Sequence, residues 1–272
     1  MRSRGGDTGR QAGRSARVLA CCAFILLLSS ACTTVIRQGN ADESAPAVPT
    51  HRCSHWNYSS SNYSGHADYG SGYIVENDVW NPVQINQNLY TCSFDSFYVE
   101  ADVKNVGRAV QSYPSSQYTF ASPVKASKFE SLTSDFRVSD PPTGSGLVYE
   151  FAYDIWFNGY GGDGHTEMMI WTYNDGRKPL GTQLPGRVTI DGHEFTVWEY
   201  GIDGYVVTFE AVHNYTAGST SLLPFFSYAS SHGWLTNGMS TPLWQIDYGV
   251  ELSGTSGFAK FDFTDFSVVD KT

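Results

Sequence analysis

Apolar and polar residues alternate over short runs along most of the chain after residue 70, and these runs are rich in β-branched and aromatic side chains. A period of two is typical of β-strands that bury one face. The pattern predicts strands within nine segments: YIVENDVW (73–80), LYTCSFDSFYVEADV (89–103), GLVYEFAYDIWF (146–157), TEMMIWTY (166–173), RVTI (187–190), EFTVWEY (194–200), YVVTFEAV (205–212), WQIDYGVEL (244–252) and FAKFDFTDFSVV (258–269).

Turn signals between these segments favour antiparallel pairing. Asp-Gly pairs at 175–176, 191–192 and 203–204 each suit a hairpin turn that needs positive φ. A single helix-like stretch, 222–235, interrupts the strands. The predicted fold class is all-β: a two-sheet antiparallel β-sandwich of jelly-roll, concanavalin-like type, with a concave cleft and one short helix.

Carboxylates recur on the faces of these strands that lie opposite the apolar residues. Glu150 and Asp154 share such a face in one strand, Glu167 shares one with Met169 and Trp171, and a third strand carries Asp247 and Glu251 there. The alternating residues on the other faces are expected in the core: Tyr149, Phe151, Tyr153, Ile155, Phe157, Met168, Ile170, Trp244, Ile246, Tyr248, Val250 and Leu252.

The amino-acid composition limits the class of molecule that the protein is expected to bind. The 272 residues suffice for one domain with a sizeable core, and 7 Trp, 17 Tyr and 16 Phe are typical of surfaces that grip sugars or peptides. Loss of residues 1–31 would leave 12 basic and 26 acidic residues, a formal charge of −14. Such a surface repels nucleic acids and other polyanions, so a neutral polymer fits better. We expect a monomer.

The N-terminus resembles an export signal. Five Arg precede an apolar run of eleven residues, 18–28, which is too short to span a bilayer. SSAC, ending at Cys32, resembles a bacterial lipoprotein cleavage box, although Ser29 stands where Leu is usual. We therefore predict a signal peptide (1–32), a flexible linker (33–50) and a domain at 51–272. The product is secreted to the extracellular space, either free or anchored to the membrane through a lipidated Cys32.

Few thiols remain after export. Cys21 and Cys22 leave with the signal and Cys32 is the lipidation candidate, which leaves Cys53 and Cys92. Two cysteines in an oxidising compartment suggest a disulfide. The seven His lack metal-ligand spacing, so we expect no metal and no organic cofactor.

Glu167 and Glu251 are the candidate catalytic pair. If their strands share one concave sheet, the two carboxyls can face each other across a groove, and two such groups are the minimum machinery for cleaving a glycosidic bond. The alternative is that each is an ordinary solvent-facing strand residue.

Several motifs, in order, resemble glycoside hydrolase family 12, a family of compact endoglucanases and xyloglucanases, over roughly residues 51–269. They are VENDVWN (75–81), SYPS (112–115), AYDIWF (152–157), TEMMIW (166–171), PLG (179–181), EYGIDGYVVTF (199–209) and LTNGMSTPLWQIDYGVELSG (235–254).

The resemblance implies roles for individual residues. Glu167 corresponds to the nucleophile and Glu251 to the general acid/base of a retaining enzyme, with carboxyls roughly 5 to 5.5 Å apart. Asp154 corresponds to an acidic residue that shares a hydrogen bond with the nucleophile. The implied substrate-binding residues are Trp80, which stacks on sugar, Met169 and Trp171 on the cleft floor, and Asn77 and Asp78. Asp78 departs from the family pattern, which has Asn there.

We therefore expect a retaining endo-β-1,4-glucanase that cleaves internal bonds of cellulose, mixed-linkage β-glucan or xyloglucan. A xyloglucan-specific hydrolase or transglycosylase is the alternative among enzymes. A non-catalytic β-glucan-binding sandwich is the alternative from another class.

Overall fold

The computed structural model describes residues 52–104, 109–160, 164–201 and 205–272. Strands numbered in chain order form two sheets. The smaller sheet contains β1 (Tyr58–Ser60), β4 (Ile85–Ser93), β5 (Ser96–Val103), β7 (Ser131–Ser139), β14 (Ala217–Ser221) and β16 (Ala259–Lys271). The larger contains β2 (His66–Gly70), β3 (Tyr73–Glu76), β6 (Ser115–Lys125), β8 (Val148–Phe157), β9 (Thr166–Asp175), β10 (Thr182–Gln183), β11 (Val188–Ile190), β12 (His193–Tyr200), β13 (Val206–Ala211) and β15 (Pro242–Gly254).

Strand order places the chemistry-bearing strands at the middle of the larger sheet. The smaller sheet runs β1-β4-β5-β16-β7-β14, and the larger runs β10-β12-β13-β9-β8-β15-β6-β3-β2, with β11 added beside β12. β8 therefore lies between β9 and β15, antiparallel to both, whereas β9 and β13 are parallel. The predicted two-sheet jelly roll is confirmed, with one parallel pair among the described strands.

Alternation along β8 and β9 builds the core as predicted. Tyr149, Phe151, Tyr153, Ile155 and Phe157 all belong to the buried cluster that also contains residues of the smaller sheet. Because side chains alternate, the residues between them point to the other face of the larger sheet. That face carries the site described below.

Trp244 corrects the predicted core list, since its side chain is 37% exposed. The register of β15 shifts between Leu243 and Gln245, so Leu243 and Ile246 both enter the core and Trp244 turns outward. Such a bulge reverses the alternation locally, and the sequence pattern does not reveal it.

Two of the three Asp-Gly pairs lie between consecutive strands that pair antiparallel: 191–192 lies between β11 and β12, and 203–204 lies between β12 and β13. Asp191 (φ 50°) and Gly192 (φ 80°) connect β11 to β12, as predicted. The pair at 175–176 ends β9, but the next strand, β10, pairs with β12, so a hairpin there was wrong. Residues 203–204 lie outside the described residues. Strands β6 and β7 were not predicted, because their sequences mix polar and apolar positions.

The remaining features agree with the sequence. The helix α1 (Leu223–Ser231) falls within the predicted stretch, and short 3-10 helices lie at Ala126–Lys128 and Gly238–Ser240. Cys53 and Cys92 form the expected disulfide, with Cα atoms 5.4 Å apart.

The predicted signal peptide (1–32), the lipidated Cys32 and the linker (33–50) lie outside the described residues. In the part of the chain that is described, we find no helix with the length and apolar character needed to cross a membrane.

Candidate active site

Two adjacent hollows form a cleft on the face of the larger sheet that points away from the core. The first, of about 440 Å³, is lined by Glu167, Glu251, Trp171 and other residues. The second, of about 430 Å³, is lined by residues that include Asp154 and Asp247. Trp80 lines both hollows, so the two lie side by side.

Glu167 lies at the start of β9, paired in register with Trp156 of β8. Burial, followed by the negative charge of Glu251, raises the pKa of Glu167 to about 7. This electrostatic coupling requires the two carboxylates to lie near each other. The structure therefore brings the two candidate catalytic residues into one hollow, from strands separated by β8.

Glu251 is held by a cation that the sequence analysis did not single out. Arg177 donates from Nη2 to Glu251 Oε2 (2.9 Å) and from Nε to Glu150 Oε2 (2.7 Å). Its Nη1 donates to Ser253 Oγ (2.8 Å), and its guanidinium carbon lies 5.8 Å from the Trp171 ring centroid. The guanidinium thus bridges two carboxyls and fixes the position of Glu251.

Glu150 is the third carboxyl of this cluster and is fully buried, in register with Glu251. Burial, the charge of Glu251 and a hydrogen bond with Glu251 raise the pKa of Glu150 well above its usual range, although Arg177 opposes the shift. In the sequence, the one indication that Glu150 belongs to the site was that it shares a strand face with Asp154.

Asp154, on β8, is buried beside Glu167 of β9. Burial, then the charge of Glu167, raises the pKa of Asp154 well above its usual range. Among the described residues its Oδ1 has no hydrogen-bond partner, so the bond to Glu167 that the resemblance implied is not made through that atom. The negative charge of Glu167 thus acts on Asp154 as a repulsion.

Trp80 lies between the hollows, and Asp78 lines the second one. The Trp80 side chain is 52% exposed, which excludes a core role, and its Nε1 donates to Asp78 Oδ1 (2.9 Å). Burial, then the charge of Glu76, raises the pKa of Asp78 to about 6. Met169 and Trp171 are buried together under the first hollow and form its floor.

Asn77 requires a correction, because it is completely buried and lines neither hollow. Its Nδ2 donates to the Asn62 backbone carbonyl (2.9 Å), and its Oδ1 accepts from Gln87 Nε2 (2.8 Å). β3 ends at Glu76, and Asp78 takes a positive φ of 37°, so Asn77 turns inward while Asp78 faces the cleft. Its role is structural, and the expected contact with substrate was wrong.

The described ranges contain no group of three or more His, Cys, Asp or Glu side chains arranged to hold a metal ion.

Comparison with known proteins gives a consistent result. The model of glycosyl hydrolase family 12 matches residues 71–269. The xyloglucanase domain of NopAA from Sinorhizobium fredii, solved with cellobiose, is 25% identical, with a TM-score of 0.68 over 80% of this chain and 100% of that one. A family 12 xyloglucanase from Bacillus licheniformis (23%, TM-score 0.68, 79% and 100%) and endoglucanase 3 from Trichoderma harzianum (23%, 0.68, 79% and 97%) share the fold. Curated protein sequences yield no match.

Proposed function

The chain belongs to glycosyl hydrolase family 12 and is a glycoside hydrolase of the endoglucanase and xyloglucanase class; from this premise we propose that Glu167 and Glu251 carry a retaining cleavage of internal β-1,4-glucosidic bonds. The observation that supports the assignment is that both carboxyls line one hollow and are electrostatically coupled. Retaining hydrolysis needs two such groups on either side of one bond.

In the first step, the Glu167 carboxylate attacks the anomeric carbon while the bond from that carbon to the departing oxygen breaks. Glu251 donates its proton to the departing oxygen, and a glycosyl ester forms on Glu167. Formation of the ester removes the negative charge of Glu167, so Glu251 becomes more acidic at the moment when it must next act as a base.

In the second step, Glu251 takes a proton from water as the water oxygen attacks the anomeric carbon and releases Glu167. The configuration is inverted twice and is therefore retained. Trp80 offers an exposed indole face for sugar stacking, while Met169 and Trp171 exclude water beneath the reacting ring.

We expect endo-cleavage of soluble β-glucans. Hydroxyethyl cellulose, barley mixed-linkage glucan and xyloglucan, which are neutral polymers, should lose viscosity well before reducing ends accumulate, since internal cuts shorten chains most per bond broken. Viscometry combined with a reducing-sugar assay measures this. A slow viscosity loss in step with release of short products would contradict an endo mode. Binding without reducing ends would favour the non-catalytic sandwich, and new longer oligosaccharides would favour transglycosylation.

The pH profile provides a second prediction. Glu167 must be ionised to attack, so kcat/KM should fall about tenfold per pH unit below the pKa of about 7. In Glu251→Gln this acidic limb should move to lower pH, because a charge that raises the Glu167 pKa is gone. An aryl β-cellobioside whose leaving group needs no protonation allows the measurement in the variant. An unmoved limb would show that the two groups are not coupled.

We further propose that the chain is exported, either free or as a lipoprotein anchored through Cys32. Mass spectrometry of the mature N-terminus tests this proposal. A mature chain that begins beyond Cys32 rules out the lipid anchor, and one that retains residues 1–31 rules out cleavage of an export signal.

A further inference from the structure

The second hollow differs from the first in charge. Four carboxylates line it, together with the rings of Trp80, Trp156 and Tyr160: Glu76, Asp78, Asp154 and Asp247. Among the residues that the structure describes, no Lys or Arg lines it. The first hollow contains both Arg177 and Lys178. The cleft is therefore acidic at one end and partly neutralised by basic side chains at the other.

The acidic groups of this hollow are bonded by neutral donors only. Asp247 Oδ1 accepts from Gln245 Nε2 (2.7 Å), and Glu76 Oε2 accepts from Gln117 Nε2 (3.3 Å). Within the described ranges, none of the four carboxylates forms an ion pair with Lys or Arg. In the first hollow, by contrast, Arg177 pairs with Glu150 and Glu251.

Asp154 provides independent evidence that a ligand group binds in the second hollow. Its side chain is 7% exposed, lines the second hollow, and has an Oδ1 atom without a hydrogen-bond partner among the described residues. A buried carboxylate oxygen without a partner is costly unless a donor from a ligand completes it.

Burial and mutual repulsion raise the pKa values of Asp78 and Asp247. For Asp247, burial comes first, and the charges of Asp78 and Glu76 add to it. For Asp78, burial is followed by the charge of Glu76. A neutral sugar offers hydroxyl donors but leaves this repulsion in place. A cationic group within the hollow would remove it.

We propose that the second hollow recognises an amino sugar: a β-1,4-linked unit with a 2-ammonium group, as in chains of 2-amino-2-deoxyglucose. Such a unit has the same linkage as a glucan unit, so it can follow the same cleft. Its ring faces are available to the exposed Trp80 and to Trp156, which lies 5.4 Å from Tyr160 between ring centroids. Its ammonium meets the carboxylates. This specificity rests on the proposed function, because it presupposes a saccharide-binding cleft.

The reacting ring does not carry the ammonium in this proposal. Positive charge develops at the anomeric carbon during cleavage, and a second positive charge on the same ring would oppose it. The amino sugar therefore binds in the second hollow. The neighbouring sugar unit, which lies between Glu167 and Glu251 and is cleaved, is neutral.

Binding to a variant with no turnover tests the proposal apart from catalysis. In Glu167→Gln, calorimetry at low salt and near pH 6 should show that the β-1,4-glucosamine hexamer binds at least about tenfold more tightly than cellohexaose. The preference should weaken with added salt. Adding Asp78→Asn and Asp247→Asn should lower the ratio of the two affinities about tenfold. Asp270→Asn, an exposed carboxylate of the smaller sheet, is the matched control and should leave the ratio unchanged.

The outcomes separate the two proposals. Equal binding of both hexamers, or a preference that survives Asp78→Asn and Asp247→Asn, overturns amino-sugar recognition, while glucan hydrolysis by the native chain still supports the glucanase. A native chain that hydrolyses no glucan, together with a carboxylate-dependent preference for the amino hexamer, overturns the glucanase and supports the recognition. If the double variant does not fold, Glu76→Gln can replace it, because this substitution perturbs no strand interior. It should also lower the ratio of the affinities for the two hexamers.

Discussion

Replacing Glu167 with Ala should reduce glucan hydrolysis by about 10⁴-fold or more, because the attacking carboxylate is gone and water has no equivalent position. The fold should persist, since Glu167 is only partly buried and its charge is destabilised by Glu251. Thermal unfolding and far-ultraviolet circular dichroism check this. The loss should concern kcat more than KM, as the group acts on the reacting carbon rather than on remote sugar units.

Azide distinguishes the two catalytic roles. In Glu167→Ala, azide can occupy the vacated space and attack the anomeric carbon once, so an activated β-cellobioside should give the α-glycosyl azide. In Glu251→Ala, the covalent ester still forms on Glu167 and azide replaces water, so the product should be the β-glycosyl azide. Nuclear magnetic resonance of the products reads the configuration. The opposite pair of results would exchange the roles, and rescue of neither variant would refute the double-displacement assignment.

Replacing Arg177 with Met should cost about 3 to 5 kcal/mol of unfolding free energy near neutrality, because it leaves the carboxyls of Glu150 and Glu251 buried without their cation. Arg187→Met is the matched control. It also removes an Arg–Glu pair, with Glu194, but that pair is exposed and should cost less than about 1 kcal/mol. Chemical denaturation measures both.

The pKa shift of Glu150 determines how the effect of Arg177→Met on the unfolding free energy should change with pH. The pKa of Glu150 is raised in the folded state, so its contribution to stability is complete below the unfolded pKa of roughly 4.3 and is lost as pH rises through the folded value. Arg177 lowers that folded pKa, so its removal deepens the loss on the alkaline side. The difference between Arg177→Met and the native chain should therefore be small near pH 4 and grow towards neutrality.

A second substitution tests whether lost charge compensation causes the destabilisation by Arg177→Met. Glu150→Gln in the Arg177→Met background removes one buried carboxyl and should recover most of the lost stability. If the double variant is as unstable as the single one, loss of packing around Trp171 explains the effect, and charge compensation by Arg177 is refuted. Double-mutant comparison isolates the coupling because each variant removes one group of the same cluster.

Local alternation was enough to predict the strands that carry the catalytic candidates. Side chains on β8 and β9 alternate without interruption around Tyr153 and Ile170, so period two assigned both faces correctly. On β15 the same argument failed at Trp244, where the bulge occurs. The role that the family resemblance implied for Asn77 was wrong because β3 ends at Glu76 and Asn77 turns inward. In both places the deviation depends on pairing with neighbouring strands, which sequence periodicity does not record.

The sequence by itself determined the family, the two-sheet fold and the disulfide partners, and it proposed Glu167 and Glu251 as the catalytic pair, because each depends on local pattern or on residues shared with known relatives. Only the tertiary structure brought Arg177 and Glu150 against Glu251 and gathered carboxylates from three strands and a loop in the second hollow. These groups lie far apart in the chain. Their charges and burial acquire meaning only when sheet order places them within interaction distance, since electrostatic energy depends on separation in space and on exclusion of water.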